Sequence, residues 1–428
     1  MPKELTIENI SLPVGWEKKP LGEVCEINPK KSEVNSFPAN HLVSFLPMKD
    51  LGVAQNQINP ITIKQLSEVK GSYTYFRNND VLLAKVTPCF ENGKLGIAKN
   101  LKNEIGFGSS EYIVFRPNNE ILSEYLFYIL SSSKFRNRGK ELMYGAVGLK
   151  RLSKDYVKNF ITPFPSIDKQ KQIVATLDKA FAAIDTAKAN AEQNLQNAKE
   201  LFESYLQNIF ENKGNDWKEG EFGNVIITLT DYHANGSYKI LKKNVELKDN
   251  DDYAWMIRST DFENNFKNQF KYISENAYNF MSKSKVLGNE IIMSKIGNAG
   301  KVYLMPEIDR PTSLAMNLFL IRLDENKAIP EFVFHFLKSK RGESQIKKRV
   351  KGATTKTITK DNVRNIIISY PSIETQKGTV KKLDVLASEV KKLEVIYTQK
   401  IADLEEMKKS VLQKAFSGQL NTINESYE

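Results

Sequence analysis

The residues of this chain that are best suited to chemistry are basic side chains in two loop-like segments that contain glycine. They are Lys150, Arg151, Lys351 and Lys356. They lie close to Gly145 and Gly352 along the chain. Backbone N–H groups of such loops, together with ammonium and guanidinium groups, can hold phosphate oxygens. The segments therefore indicate binding of a polyanion, unless they are only solvated basic loops.

A second set of lysines follows strand-like apolar runs or glycines. The set comprises Lys85, Lys94, Lys295 and Lys301. Lys85 and Lys295 each end a run that is typical of a buried strand. From there a lysine can reach into a groove, or can only extend from the edge of the core to water. Both interpretations stay open at this point.

No residues combine into a catalytic set of nucleophile, base and orienting group. The segment 297–301 is too short for a nucleotide phosphate loop, and Val302 stands where Ser or Thr is required. The three histidines, His41, His233 and His335, lack the spacing of metal ligands. The sequence therefore predicts a binding protein with no catalytic residue and no metal site.

Composition favours a folded protein with an anionic partner. The chain has 428 residues, of which 41% are hydrophobic and 26% charged, and a net charge of +11. This length predicts about two to four domains. No run of about 18 apolar residues exists, so no membrane span is expected. Two cysteines, Cys25 and Cys89, give no disulfide framework, which favours a reducing cytoplasm.

The elements that must position these residues occur twice. The segment Pro-Ser-Ile-Asp/Glu-x-Gln-Lys begins at Pro165 and again at Pro371, an offset of 206 residues. At that offset, matches continue without a gap to Phe210 and Phe416. A unit this long is half a protein and not a solenoid repeat. Two similar halves predict approximate two-fold symmetry.

Each copy of the repeat predicts a long helix, at 167–212 and 373–420. Apolar residues recur at alternating steps of three and four, the heptad pattern of a coiled coil. A helix of roughly 43 residues is about 65 Å long. Antiparallel pairing of the two helices is the simpler arrangement, because the first helix would end near the start of the second.

One position in each helix interrupts the apolar seam. Lys188 and Glu394 occupy equivalent positions near the two midpoints. Antiparallel pairing brings midpoints together, so we hypothesise that Lys188 and Glu394 approach each other and fix the register. The alternative is two solvated charges at the edge of the seam. Four apolar residues beside the second seam predict either a partner surface or a wider stripe against the first helix: Leu386, Leu393, Ile396 and Met407.

Two globular domains, 1–166 and 213–372, are predicted to have an α+β (mixed α/β) fold and to be related to each other, with a tail at 421–428. The strand-like run 80–86 resembles 290–296. The two helical segments together carry 14 lysines and 14 acidic residues, so the positive charge lies outside them. The helices are interpreted as a spacer and the domains as the charged working surfaces.

These features together resemble the specificity subunit of type I restriction-modification systems, over essentially the whole chain. The resemblance rests on the twice-used helix start at Pro165 and Pro371 and on the similar helix endings at Phe210 and Phe416. The order domain, helix, domain, helix adds to it. So do the Trp-x-x-x-x-Leu/Phe-Gly-x-Val segments that begin the two domains.

The resemblance implies that each domain is a target recognition domain, which reads one half of a bipartite, asymmetric site in double-stranded DNA. The helices would set the spacer and dock two methyltransferase subunits, which bind S-adenosylmethionine and methylate adenine N6. Restriction subunits would join to form a nuclease that depends on ATP and Mg²⁺. This chain would carry no cofactor and no membrane segment.

The family supplies no base-contacting residues that map onto this sequence by motif, so the eight basic residues named above are the predicted DNA contacts. The alternative is a coiled-coil adaptor that binds proteins at both ends. It explains the helices equally well, but not why the positive charge lies in the two diverged domains.

Overall fold

The computed structural model describes residues 12–60, 62–146, 148–267 and 270–420. The predicted tail at 421–428 and the first eleven residues of the first predicted domain lie outside the described residues. The chain divides into two compact units, residues 1–192 with 399–428, and residues 193–398. Each unit therefore contains one globular domain and a part of each long helix.

The first unit contains eleven strands and five short helices within the described residues. The strands are β1 Glu17–Pro20, β2 Cys25–Ile27, β3 Leu42–Leu46, β4 Gln55–Ile58, β5 Thr62–Gln65, β6 Thr74–Arg77, β7 Val81–Ala84, β8 Leu95–Ala98, β9 Ile105–Gly108, β10 Tyr112–Pro117 and β11 Ile161–Phe164. The helices are α1 Leu21–Val24, α2 Leu66–Val69, α3 Ser123–Ser131, α4 Ser133–Glu141 and α5 Lys154–Asn159. Short 3₁₀ helices occur at Lys31–Val34, Met48–Asp50 and Lys102–Glu104. The long helix α6, Ile167–Glu211, begins in this unit.

The second unit repeats this pattern. Its strands are β12 Lys218–Glu221, β13 Ile226–Asp231, β14 Ala254–Ile257, β15 Lys271–Ile273, β16 Lys285–Val286, β17 Ile291–Ser294, β18 Val302–Leu304, β19 Thr312–Leu314, β20 Leu318–Leu323 and β21 Ile367–Tyr370. Its helices are α7 Tyr238–Asn244, α8 Ser259–Glu263, α9 Glu275–Phe280, α10 Pro330–Lys338, α11 Lys340–Arg349, α12 Lys360–Arg364 and the first part of α13, Ile373–Ser417. Short 3₁₀ helices occur at Phe222–Val225, Tyr232–Asn235 and Ser282–Ser284.

The sheets of the two units have matching strand orders. The first unit has sheets β1-β11, β2-β10-β7-β8-β4 and β5-β3-β9-β6. The second unit has β12-β21, β13-β20-β17-β18 and β15-β14-β19-β16. Strands β7 and β17 are buried at every residue, which explains why all but Ser294 of their residues are apolar. The first unit differs by one strand, β4, which adds an edge to its five-stranded sheet.

A buried glutamine joins each domain to its long helix. Gln170, in the first turns of α6, is fully buried, and its side-chain amide donates to Glu120 O (2.9 Å) and Pro165 O (3.0 Å). Its side-chain oxygen accepts from Leu122 N at 3.0 Å. A buried backbone group without a partner is costly, so this one side chain satisfies three groups at the junction.

Gln376 makes the same three bonds at the start of α13. It donates to Lys327 O (3.0 Å) and Pro371 O (2.9 Å), and it accepts from Ile329 N at 3.0 Å. The glutamine of the repeated motif is thus explained by structure. It attaches each domain to the start of its long helix by three hydrogen bonds.

Inside each unit the two long helices pack together. In the first unit Asp185 of α6 pairs with Lys408 of α13 at 2.8 Å, and Lys188 pairs with Glu405 at 2.7 Å. From the first pair to the second, the residue number increases on α6 and decreases on α13, so the two helices are antiparallel. In the second unit, apolar residues of both helices share one core: Leu206, Phe210, Val380 and Leu383. The predicted α+β class with two similar domains and antiparallel long helices is confirmed.

Candidate nucleic-acid interface

The two ends of the basic loop of the first domain pair as in a hairpin. Tyr144 N donates to Arg151 O at 3.0 Å, and Arg151 N donates to Tyr144 O at 2.8 Å. Gly145 has a φ of 121°, which an L side chain rarely adopts. The hairpin is held against the end of strand β7, because Thr87 N donates to Lys150 O at 2.9 Å and Leu152 N donates to Lys85 O at 2.8 Å.

The second domain builds the same hairpin with other residues. Lys351 and Thr357 exchange backbone hydrogen bonds of 2.9 and 2.8 Å, and Gly352 has a φ of 106°. Gly297 N donates to Lys356 O at 3.0 Å, and Ile358 N donates to Lys295 O at 3.1 Å. The backbone therefore makes Lys356 the counterpart of Lys150 and Lys295 the counterpart of Lys85.

Three of the predicted phosphate-binding lysines lie free on these hairpins. Lys150, Lys351 and Lys356 are exposed, and within the described residues none of the three side chains has an ion pair. An exposed, unpaired ammonium group beside a fixed backbone turn is suited to a phosphate oxygen. Their predicted contact with DNA stays a prediction, but their placement suits it.

In the first domain the other predicted contacts have partners in the protein. Lys85 Nζ donates to Ser110 O at 2.8 Å, and burial lowers the pKa of Lys85. Arg151 pairs with Glu111 at 2.8 Å, and this hydrogen bond holds the pKa of Glu111 below its ordinary value. Lys94 Nζ donates to Met48 O at 2.7 Å. Each of these three side chains is thus engaged by other groups of the first domain, and DNA binding by them stays a prediction.

In the second domain the equivalent lysines are paired with acids. Lys295 Nζ lies 2.7 Å from Asp231, whose side chain is only 9% exposed, and Lys360 lies 3.3 Å from the same carboxylate. Burial raises the pKa of Asp231, but the hydrogen bond and charge of Lys295 outweigh it and hold the pKa below the ordinary value. Lys301 pairs with Glu263 at 2.7 Å. A phosphate would have to compete with these acids, so DNA contacts by Lys295 and Lys301 also stay predictions.

The long helices carry ion pairs and an exposed apolar surface. Lys188 Nζ donates to Glu405 at 2.7 Å, and this bond raises the pKa of Lys188. The hypothesised approach of Lys188 to Glu394 involves residues of two different units and stays a prediction. On α13, Ile396 is 56% exposed and Met407 is 52% exposed. Leu393 is 36% exposed and Leu386 is half-buried.

Sequence reasoning missed the exposed amide side chains on strand β4 and directly after it. Gln55, Gln57 and Asn59 are all exposed and alternate with other residues. The only signal was a run of three amides at Gln55, Asn56 and Gln57, and the pairing of β4 with β8 is irregular between Gln55 and Ile58. The few apolar residues of β4 gave no reason to predict a strand there.

Two features are absent from the described residues. They contain no group of three or more His, Cys, Asp and Glu side chains placed to hold a metal ion. No helix in this part of the chain is both long and apolar enough to cross a membrane. Cys25 and Cys89 form no disulfide, and burial raises the pKa of the Cys25 thiol to about 12.

The fold and the basic hairpins define a class of protein with two similar α+β domains, each joined to a long helix and each presenting an exposed basic loop. The model of the type I restriction modification DNA specificity domain matches residues 13–197 and again residues 215–401, and the chain belongs to this family.

Several curated proteins are similar in sequence. The EcoEI specificity subunit of Escherichia coli is 34% identical over 199 residues, 46% of this chain and 33% of that protein. The EcoAI specificity subunit of the same species is 34% identical over 196 residues, again 46% of this chain and 33% of that protein. These two matches thus span about a third of the relatives. The putative MjaX specificity subunit of Methanocaldococcus jannaschii is 25% identical over 370 residues, 80% of this chain and 78% of that protein.

Two solved structures share the fold. One is described as the structural basis underlying complex assembly and conformational transition of the type I R-M system. Its TM-score is 0.74 at 17% identity, and the match covers 96% of this chain and 100% of that chain. The HsdS subunit from Thermoanaerobacter tengcongensis has a TM-score of 0.65 at 17% identity and covers 96% of this chain and 99% of its own.

Proposed function

We propose that this chain is the DNA sequence-specificity subunit of a type I restriction-modification complex and carries no catalytic residue. The observation that carries the proposal is the pair Lys150 and Lys356. They are exposed and hold the same backbone position in both domains. Equivalent phosphate contacts would position two domains on DNA, and base contacts would then specify the sequence.

Each domain reads one half of a bipartite, asymmetric site in this proposal, with recognition domains at 1–166 and 213–372. The two domains share strand orders and hairpin geometry but differ in surface residues. Shared backbone contacts with different side chains are what two readers of different half-sites require.

The long helices set the distance between the half-sites. Each has 45 residues, which corresponds to about 68 Å at 1.5 Å per residue. This length is close to two turns of B-DNA, at about 34–36 Å per turn. If each domain overhangs the end of its helix, the two domains face major grooves about one turn apart.

The helices also dock two methyltransferase subunits, and restriction subunits complete the complex. The exposed Ile396 and Met407 support a docking surface, because apolar residues on a helix face are usually covered. S-adenosylmethionine would be bound by the methyltransferase subunits, and ATP and Mg²⁺ by the restriction subunits. The cysteines, which form no disulfide, fit a cytoplasmic complex.

The decisive experiment reconstitutes this chain with the methyltransferase subunit of its own gene cluster and maps N6-methyladenine by sequencing. We expect one bipartite motif, with methylation that is lost when this chain is left out. A motif that persists without this chain, or the absence of any motif with it, contradicts the proposal.

A second experiment tests the spacer. Removal of seven residues, one heptad, from α6 together with seven from α13 should shorten the unspecified spacer and leave both half-sites unchanged. A deletion in α6 alone is the control, and it should disrupt the pairing of the helices. Altered half-sites in the double deletion would argue against a spacer role.

A further inference from the structure

The two domains differ in the connection that links their two larger sheets. In the first domain this connection joins β2 to β3, and residues 28–41, all of them described, contain one 3₁₀ helix, Lys31–Val34. In the second domain the corresponding connection joins β13 to β14 and adds helix α7, Tyr238–Asn244. Helix α7 therefore has no counterpart in the matching connection of the first domain.

Strand β13 carries its connection to the end of the sheet that bears the basic hairpin. Asp231, the last residue of β13, lies level with Met293, near the end of β17. In the first domain Ile27, the last residue of β2, lies level only with Val81, the first residue of β7. The longer strand thus places α7 beside the hairpin, whereas the shorter strand leaves the sheet at its other end.

Direct contacts show the same proximity. The Asp231 carboxylate lies 2.7 Å from Lys295 Nζ, and Ile358 N, which follows the hairpin, donates to Lys295 O at 3.1 Å. Tyr238, the first residue of α7, follows Asp231 by seven residues, which can span at most about 25 Å. One turn of B-DNA is about 34–36 Å long, so a single duplex can contact both the hairpin and α7.

Helix α7 is held firmly on the domain by one apolar face. Leu241 is 1% exposed and shares a core with Met256 and Ala277. Ahead of the helix, Asn235 Nδ2 donates to Ser284 Oγ at 2.8 Å, which fixes the segment that leads into it. The outer face of α7 is therefore a defined surface of the second domain.

This outer face carries only positive charge. Lys239, Lys242 and Lys243 are exposed and, at 3.6 residues per turn, lie on the side of the helix away from Leu241. None of the three ammonium groups has an ion pair within the described residues, and α7 contains no acidic residue. Lys239 lies in the first turn, where the helix dipole disfavours a cation, and it repels Lys243 one turn away. Helix stability therefore does not explain this charge, whereas an external anion does.

We propose that α7 is a second phosphate-binding surface of the second domain, so that this domain holds the duplex more strongly than the first domain does. The inference rests on the proposed function and deepens it. Lysine is depleted at protein–protein interfaces but is a frequent partner of DNA phosphates, so this face suits a duplex better than another protein. The complex is thus anchored on DNA through its second domain, because the first lacks α7.

The test measures binding of the reconstituted complex to its methylated motif as a duplex, by fluorescence anisotropy at several salt concentrations. Each lost phosphate contact lowers the slope of log affinity against log salt by about 0.9. The triple variant Lys239→Gln, Lys242→Gln and Lys243→Gln should lower the slope by about 1.8–2.7, the value for two or three contacts. The triple variant with Lys→Arg at the same positions keeps the charge and should keep the slope.

Ethylation interference locates these contacts along the duplex. With the wild-type chain, phosphates whose ethylation prevents binding should be more numerous at one half-site, and the glutamine variant should remove this excess alone. Lys30→Gln is the matched control, because Lys30 is an exposed lysine in the corresponding connection of the first domain. It should leave both the salt slope and the interference pattern unchanged.

An unchanged salt slope in the glutamine variant overturns the inference, as do equal numbers of interfering phosphates at the two half-sites of the wild-type complex. Loss of the methyltransferase subunits with an unchanged slope would assign α7 to a protein partner and also overturn it. So would a lower midpoint of thermal unfolding in both triple variants, which would assign the lysines to folding. Failure of the proposed function is different, because the wild-type complex would then bind specific and random duplexes equally.

Discussion

The two domains hold the same backbone in place with different side chains. Lys85 N donates to Glu111 O at 2.9 Å, and Lys295 N donates to Asn317 O at 2.7 Å. Glu111 is charged and pairs with Arg151, whereas Asn317 is neutral. Hydrogen bonds made by backbone atoms therefore fix the site independently of side-chain identity. Its surface chemistry can therefore differ between the halves at little structural cost.

The junction between domain and helix behaves in the opposite way. Gln170 and Gln376 are both fully buried and make the same three hydrogen bonds. A side chain that satisfies buried backbone groups cannot be replaced without leaving them unpaired. The molecule thus combines a joint that is the same in both halves with surfaces that differ between them.

The largest expected effect is at the joint. Gln170→Leu and Gln376→Leu should each lower the free energy of unfolding by about 2–4 kcal/mol, because each leaves one buried proline carbonyl and two part-buried backbone groups without their partner. Urea unfolding measures the loss of unfolding free energy. Hydrogen exchange should then locate this loss in the unit that contains the substitution.

The matched control is Gln172→Leu, an exposed position two residues from Gln170. It should change the free energy of unfolding by no more than about 0.5 kcal/mol. If only one of the two buried glutamines mattered, the joint would not be equivalent in the two halves.

The next effect separates the lysines at the ends of β7 and β17. Lys295→Ala leaves the nearly buried Asp231 with Lys360 alone and should cost about 2 kcal/mol of stability. Lys85→Ala should cost less than about 1 kcal/mol, because Glu111 keeps Arg151. Chemical denaturation of the two variants measures both values. Equal losses would show that the two lysines have the same structural role despite their different partners.

The sequence predicted those parts of the fold that depend on local periodicity. The apolar steps of three and four and the Pro-Ser-Ile start led to helices at 167–212 and 373–420, and the structure has Ile167–Glu211 and Ile373–Ser417. A helix is defined by residues a few positions apart, so its signal is continuous in the sequence.

Features that depend on distant contacts could not be predicted in this way. Lys94 donates to the carbonyl of Met48, 46 residues away, and Lys188 donates to Glu405, 217 residues away. The seam pattern showed that Lys188 interrupts an apolar stripe, but the partner depends on the register of side-chain packing. Strand β4 becomes an edge only once β8 lies beside it, and no property of residues 55–58 alone indicates that.

A further prediction treats the hairpin lysines as equivalent. Lys150→Ala and Lys356→Ala should each weaken binding of the complex to specific and to random duplex alike, by up to about tenfold at 0.1 M salt. Each should lower the slope of log affinity against log salt by about 0.9, the value for one phosphate contact. Fluorescence anisotropy at several salt concentrations measures both quantities.

The control for these variants is Lys199→Ala, an exposed lysine on α6. It should leave the affinity and the salt slope unchanged. Unchanged binding to both duplexes by Lys356→Ala would remove that lysine from the interface, and a loss for one hairpin only would break the equivalence of the two domains.

The smallest expected effect concerns a contact that each domain makes with an aspartate of its long helix. The domain residue in this contact is a tyrosine in the first unit and a histidine in the second. In the first unit the Tyr128 hydroxyl donates to Asp178. In the second, His335 Nε2 lies 4.0 Å from Asp384. Burial lowers the pKa of His335 below 6.5, and Lys338 adds to this, while Asp384 and Glu331 oppose it.

Because the folded pKa of His335 is the lower one, the unfolded chain binds more protons as the pH falls below 6.5. The stability that neutral His335 contributes is therefore present above pH 6.5 and is lost as the pH falls through its folded pKa. Burial raises the pKa of Tyr128, so its hydroxyl does not titrate in this range. Acidification from about pH 7.5 to about pH 5.5 should thus speed hydrogen exchange in α10, after correction for intrinsic rates, and leave α3 unchanged. His335→Tyr should abolish the response of α10. Tyr128→His should create a response in α3 and leave that of α10 in place. An equal response of both helices in the wild-type chain would show that His335 is not the cause of the difference between the two halves.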